Sequence, residues 1–231
     1  MRVLSWDVGI YNLSYCILEK KDNEEPKIIG WDIVNLVDNE QMKKNRNLLF
    51  ENIPRKLNEI PELLMVDRVV IENQPSLKNP QMKSIQMILY SYFMILGKVI
   101  GNNNENAYYI DDIDFCSASN KLKVYNGPKI VLEEKKTRGK KASLKTESAP
   151  IQETEEPTEI NETTEEPKGK KEKASSVKYA DKKRLAIEHA KYYLEKNNPS
   201  YVDFFNTHKK KDDLSDSYLQ GLYYISKCKT K

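Results

Sequence analysis

Between positions 133 and 176 the chain carries eleven acidic and ten basic residues and almost no large apolar ones. The stretch begins EEKKTRGKKASLK, turns acidic and rich in Glu, Thr and Pro, and closes on KGKKEK; from Glu147 to Glu166 there are eight acids and no base. A segment of this kind cannot bury enough apolar surface to offset the entropy of ordering it, so it is expected to be a disordered charged insert. Whatever the chain folds into must then be assembled from two separated pieces, residues 1–132 and 177–231. Outside the insert 28 bases face 24 acids, so the foldable part carries +4 against +3 for the whole chain, too little by itself to announce a nucleic-acid binder.

The first piece reads as strands, then alternating helices and strands. Residues 2–8 (RVLSWDV), 13–20 (LSYCILEK) and 27–37 (KIIGWDIVNLV) are apolar or alternating runs with short connections, the pattern of an antiparallel meander. Met42, Leu49, Ile53 and Leu57 lie near helical spacing, and that helix is expected to close before Pro61. Residues 68–73 (RVVIEN) form a β-branched run suited to a central strand. Pro80 suits a first helical turn. It opens a long helix over 81–100, with Met82, Ile85, Leu89, Tyr92, Phe93, Leu96 and Ile100 in one stripe, widened by Ile88 and Ile95. A strand near 108–116 follows. Asp111, Asp112 and Asp114 there read as a solvated loop cluster. After the insert come helices over 178–196, with Leu185, His189, Tyr192 and Tyr193 inward, and over 212–227, with Leu214, Tyr218, Leu222 and Ile225 inward. The sum is an α/β fold, a mixed sheet flanked by helices in the RNase H-like order.

Four acids stand out by context. Asp7 interrupts an apolar strand and is followed by Gly9 and Asn12; Glu72 ends VVIE; Asp213 and Asp216 are three apart at a helix start and so share one face. Each has an ordinary reading alone: a turn acid, a strand-end acid, or, for Asp212 and Asp213, a helix cap. Half-buried carboxylates are costly unless paired or bound to metal. If strands 2–8 and 68–73 are neighbours, Asp7 and Glu72 lie side by side and the helix pair closes the site from one flank. Such hard oxygen donors suit two Mg²⁺ ions, with Mn²⁺ as substitute, and a pair of such ions can clamp the attacking and leaving oxygens of a phosphodiester. The three cysteines, Cys16, Cys116 and Cys228, form no CxxC, and His189 and His208 are not at zinc-ligand spacing, so neither a disulfide framework nor a zinc site is expected.

DVGIYN near the start, IENQPSLKNPQMKSIQ in the middle and KKKDDLSDS near the end resemble the motifs of the poxvirus-type Holliday junction resolvases. These belong to the RuvC group of RNase H-like nucleases, and the fungal mitochondrial resolvases are similar. The resemblance covers nearly everything except 133–176. It implies a magnesium-dependent endonuclease that cuts four-way DNA junctions, with metal-binding acids at Asp7, Glu72, Asp213 and Asp216. Asp212 belongs to the same motif. It also implies a catalytic lysine before the last helices, for which SASNKLKVY offers Lys121 or Lys123, with Lys121 preferred.

Lys78, Lys83, Lys123, Lys209, Lys210 and Lys211 adjoin these motifs and are the candidate phosphate contacts. Tyr11 is a candidate for stacking at an opened junction, with ordinary packing the plainer reading; Gln74 is placed either to orient Glu72 or to touch the DNA backbone; and His208 is a weaker candidate for proton transfer. A two-fold substrate suggests a homodimer, and the broad apolar face of the 81–100 helix, with Leu89 and Tyr92, is either part of its surface or buried in the chain's own core. Alternatives are an RNase H-like nuclease acting on RNA–DNA hybrids or flaps, an actin- or sugar-kinase-like phosphotransferase, and a non-catalytic junction binder. No apolar run is long enough for a membrane span. The first strand opens at once, so no presequence is expected. The setting expected is intracellular rather than secreted: a host cytoplasm or viral factory, with the nucleus open because of the insert's basic ends.

Overall fold

The computed structural model describes residues 1–77, 79–101, 109–130, 132 and 179–228. Lys78 and the whole 133–176 segment lie outside the described residues. Described residues from both sides of that segment pack into one unit.

Among the described residues five strands form one sheet in the order β3-β2-β1-β4-β5. β1 (Arg2–Val8), β2 (Asn12–Glu19) and β3 (Lys27–Asn35) make the antiparallel meander, while β4 (Arg68–Asn73) lies parallel to β1 and β5 (Asp112–Ser117) parallel to β4. Side chains alternate between the faces of a strand. Leu4, Trp6 and Val8 of β1, with Val69 and Ile71 of β4, therefore enter one core. Val3 and Val70 enter the core on the other side, and the same alternation turns Ser5, Asp7 and Glu72 to that second face.

The first face is covered by α2 (Arg46–Asn58) and α3 (Pro80–Phe93), with the short, unburied α1 (Glu40–Lys44) leading into α2. The single helix expected over Met42–Leu57 is broken in two. Asn45 takes an extended conformation and its side chain caps the backbone N–H groups of Asn47 and Leu48, which restarts the helix. The expected 81–100 helix is regular only to Phe93; Met94–Ile100 widens into π-helical turns. There Gly97 lies against the buried Ile110, whose N–H donates to the Gly97 carbonyl at 3.1 Å. An added Cβ at Gly97 would stand 2.2 Å from Ile110 Cδ1. Leu89 is fully buried and Tyr92 nearly so, both inside this unit's own core, so neither lies at a subunit surface. The exposed apolar residues of that element are Met87, Ile95, Val99 and Ile100.

The second face is covered by α4 (Tyr179–Asn197), α5 (Val202–Thr207) and α6 (Lys211–Lys227). On α4, Ala186, His189, Ala190, Tyr193 and Leu194 are buried, whereas Leu185 and Tyr192 are only half-buried. α6 is pressed onto the sheet at Gly221, where an added Cβ would meet Leu18 Cδ1 at 2.8 Å and Ser5 Cβ at 3.2 Å. Buried polar contacts fix its rotation. Gln220 donates to Ser5 Oγ at 3.1 Å and to the Trp6 carbonyl at 3.0 Å. Trp31 Nε1 donates to the Leu214 carbonyl at 3.2 Å, and Ser14 and Ser217 share a 2.8 Å hydroxyl contact. Asp112 and Asp114 are not in a solvated loop: both belong to β5, and Asp114 accepts a hydrogen bond from the Tyr224 hydroxyl of α6. No described helix is long and apolar enough to cross a membrane.

Candidate active site

The parallel pairing of β1 with β4 brings two acids together. Trp6 pairs with Ile71, so one step further along both strands sets Asp7 beside Glu72 at the sheet's carboxyl edge. From β5 the chain turns into a 3-10 segment, Ala118–Val124, which carries Lys121 beneath them. The first turns of α6 supply Asp212, Asp213 and Asp216 from the flank. Asp7, Glu72, Asp212, Asp213 and Asp216 all line one cleft of about 490 Å³, together with Tyr11 and Lys183.

Lys121 is at the centre of this cluster. Its Nζ stands 2.7 Å from Asp7 Oδ1, 2.9 Å from Glu72 Oε1 and 3.0 Å from Asp216 Oδ2, and its side chain is only 6% exposed. Burial pulls the lysine towards neutrality, but the three carboxylates outweigh it and hold its pKa well above the usual value. The acids are treated less kindly. Burial pushes Glu72 up to about 7 despite Lys121, with Asp7 adding to the rise. Burial likewise lifts Asp216 to about 6, again against Lys121 and with Asp7. These shifts are consistent with one another: a single ammonium stays charged among three carboxylates but cannot compensate all three. Asp213 is raised by burial and by its neighbours Asp212 and Asp7; its Oδ2 is 3.7 Å from Lys210. Burial also acts on Asp212, but Lys183, 3.0 Å away, prevails and holds it below the ordinary range.

The supporting contacts are specific. Gln74 donates from Nε2 to Glu72 Oε2 at 2.7 Å, and its own backbone N–H is held by Gln86 Oε1 at 2.9 Å. Gln86 is fully buried and also accepts from Lys83 at 3.0 Å. Tyr193 donates to the Val124 carbonyl at 2.7 Å and pins the end of the Lys121 segment.

The structure thus gathers Asp7, Glu72, Asp213, Asp216 and Lys121, and puts Lys123 apart, exposed and bonded to Asn120 at 2.8 Å. Gln74 orients Glu72, as the sequence suggests. Lys209 and Lys210 are exposed just before α6, with Lys211 half-buried in its first turn. His208 has its Nδ1 taken by the Lys210 N–H at 3.0 Å. Neither Asp212 nor Asp213 is the N-cap of α6; that position is Lys210, and both acids lie in the first turn. Sequence reasoning missed Lys183 and Gln86. A glutamine beside the apolar stripe of α3 was a usable signal; one lysine among several on α4 was not.

Among the described residues, no group of three or more His, Cys, Asp or Glu is spaced as it would be around a bound metal. Lys121 accounts for this. It keeps carboxylate oxygens 2.7–3.0 Å from its nitrogen, whereas Mg²⁺ draws them to about 2.0–2.1 Å. The donor set itself, hard oxygens from three elements converging on one cation, fits such an ion.

No protein-family model matches the chain. An uncharacterised protein of Acanthamoeba polyphaga mimivirus, L451, is 33% identical over 177 residues. The match takes in 75% of this chain but 33% of that protein, so the chain spans about a third of the length of this curated relative. Among solved structures, the fowlpox virus resolvase in complex with substrate Holliday junction DNA superposes with a TM-score of 0.53 at 15% identity, covering 98% of this chain and 97% of that one. The yeast mitochondrial Holliday junction resolvase gives 0.55 at 14% identity over 97% of this chain and 78% of that one. The chain has the RNase H-like fold of these proteins.

Proposed function

We propose that this chain is a Holliday junction resolvase, an endonuclease that hydrolyses phosphodiester bonds at four-way DNA junctions with Mg²⁺, or Mn²⁺ in its place. The observation that carries the reading is the meeting of Asp7, Glu72 and Asp216 on one cation position, with Asp213 in the same cleft. The fold it shares with the fowlpox and yeast mitochondrial resolvases supports the choice of substrate.

Asp7, Glu72, Asp213 and Asp216 would hold the ions. Bound there, divalent ions supply charge neutralisation and activation of water at the scissile phosphate. Gln74 holds the Glu72 carboxylate in one orientation, as groups behind a metal ligand generally do. Lys209, Lys210 and Lys211, with Lys83 and Lys123, would contact phosphates on either side of the cleft, and Tyr11 at its mouth would stack on an unpaired base. Lys183, paired with Asp212 at the cleft wall, joins the candidate phosphate contacts. A four-way junction offers two equivalent strands, so the working unit proposed is a homodimer. Its contact surface would lie along Met87, Ile95 and Val99, which are exposed and apolar. The mimivirus relative supports action on viral DNA in a host cytoplasm or viral factory.

The test is cleavage of a synthetic four-way junction compared with duplex, flap and RNA–DNA hybrid. Wild type with Mg²⁺ is expected to convert the junction to nicked duplexes. Asp7→Asn and Glu72→Gln should bind it without cutting. An intact junction alongside a cut hybrid would replace this reading with the hybrid nuclease.

A further inference from the structure

Lys121 has three N–H donors, and each faces a carboxylate from a different element: Asp7 of β1, Glu72 of β4 and Asp216 of α6. With all three engaged and the side chain 6% exposed, no donor remains for a substrate phosphate. The oxygens that contact Nζ are also those a divalent ion would need. An ammonium and a doubly charged cation cannot share that point, because at contact distance in a poorly screened pocket they repel strongly. Resting on the metal-dependent reading above, we propose that Lys121 is a built-in counter-cation that holds the site's acids together until a divalent ion displaces it.

The surroundings suit an exchange confined to one side chain. The turn that carries Lys121 is tied down by Tyr193 at Val124, by the contact of Asn126 N–H with the Tyr193 hydroxyl at 3.3 Å, and by Tyr125 stacked flat on His189 at 3.8 Å. The backbone therefore stays while the four-carbon stem swings. Gln74 grips the other oxygen of Glu72, Oε2, so that carboxylate keeps its place whichever cation it faces. Lys121 would thus have two stations. In one it neutralises the acids; in the other its ammonium is released towards the cleft, where a phosphate would lie. Divalent-ion binding and lysine release become a single event, and the observed metal affinity is the intrinsic affinity reduced by the competition.

The experiment reads lysine acetylation in the wild-type protein by mass spectrometry, with sulfosuccinimidyl acetate as reagent, in EDTA and in saturating Mn²⁺. Lys121 is expected to be protected in EDTA and to react at least tenfold faster with Mn²⁺, while the exposed Lys209 reacts equally in both. Calorimetry should show Lys121→Met binding Mn²⁺ at least tenfold more tightly than wild type. If Mn²⁺ binds wild type, the heat disappears in Asp7→Asn, and Lys121 nonetheless stays protected, the exchange is wrong and the metal reading stands. If neither wild type nor folded Lys121→Met binds Mn²⁺, the metal reading itself falls and the exchange with it. The labelling arm uses wild type alone, so a Lys121→Met protein that fails to fold leaves it decisive.

Discussion

Replacing Asp216 by asparagine should make the protein more stable in EDTA while abolishing cleavage. The reason is the charge count around Lys121: one ammonium faces Asp7, Glu72 and Asp216, so the cleft carries an excess of negative charge. Burial, with Asp7 close by, raises the Asp216 pKa from 3.8 to about 6. Each unit is worth about 1.4 kcal/mol, so the rise corresponds to ~3 kcal/mol for ionising the folded site. With 32% of the side chain in water, solvent screening trims this to ~1–2 kcal/mol. Because the folded pKa lies above the unfolded one, the native state holds the proton more tightly. The contribution of Asp216 to wild-type stability is therefore greatest below about pH 4, falls as pH rises through about 6, and stays lower above it. Asparagine does not ionise and escapes that fall. Urea unfolding in EDTA near pH 8 should show the variant's midpoint higher by roughly 0.5 M at an unchanged m value. The two proteins should converge as pH approaches 4. A variant that is less stable near pH 8, or a difference that ignores pH, would mean that Lys121 compensates all three acids.

Three other substitutions probe the scaffold. His189 is stacked on Tyr125, has no partner for Nδ1, and has its pKa lowered from 6.5 by burial. The unfolded chain therefore takes that proton first, and stability should decline as pH falls below about 6.5; His189→Phe should lose this part of the profile in denaturant melts. Gln74→Leu leaves Glu72 Oε2 without its donor, and should weaken Mn²⁺ binding by roughly 10–100-fold in calorimetry; unchanged affinity would remove Gln74 from the site. Gly97→Ala drives a Cβ into Ile110, which is fully buried. It should cost about 1–3 kcal/mol in urea melts, and a neutral result would show that the contact is soft.

The meander, the central β4 strand and the acids were legible in the sequence because each rests on local pattern. An apolar run interrupted at Asp7, or ended at Glu72, shows itself without knowledge of the partner strand. The choice between Lys121 and Lys123 was different. Two residues apart in a 3-10 turn, they point to different places, and only the fold shows that one is buried among acids while the other reaches Asn120. The mistaken reading of Asp112 and Asp114 has the same origin. Acids on a strand look like loop residues until the Tyr224 hydroxyl, over a hundred residues away, is known to meet Asp114. The restart at Asn45 was readable in principle, since asparagine is a strong cap, but the apolar spacing of Met42 to Leu57 runs through it. The widened turns at Met94–Ile100 lie where Gly97 approaches Ile110, a contact that periodicity does not encode.

Whether the four acids grip divalent ions is settled by anomalous diffraction near the manganese edge from crystals soaked in manganese chloride. The expected result is density between Asp7, Glu72 and Asp216, extending to Asp213, with carboxylate oxygens drawn in well inside their 2.7–3.0 Å spacing from Lys121 Nζ. Ordered manganese only elsewhere, with those carboxylates still on Lys121, would contradict it.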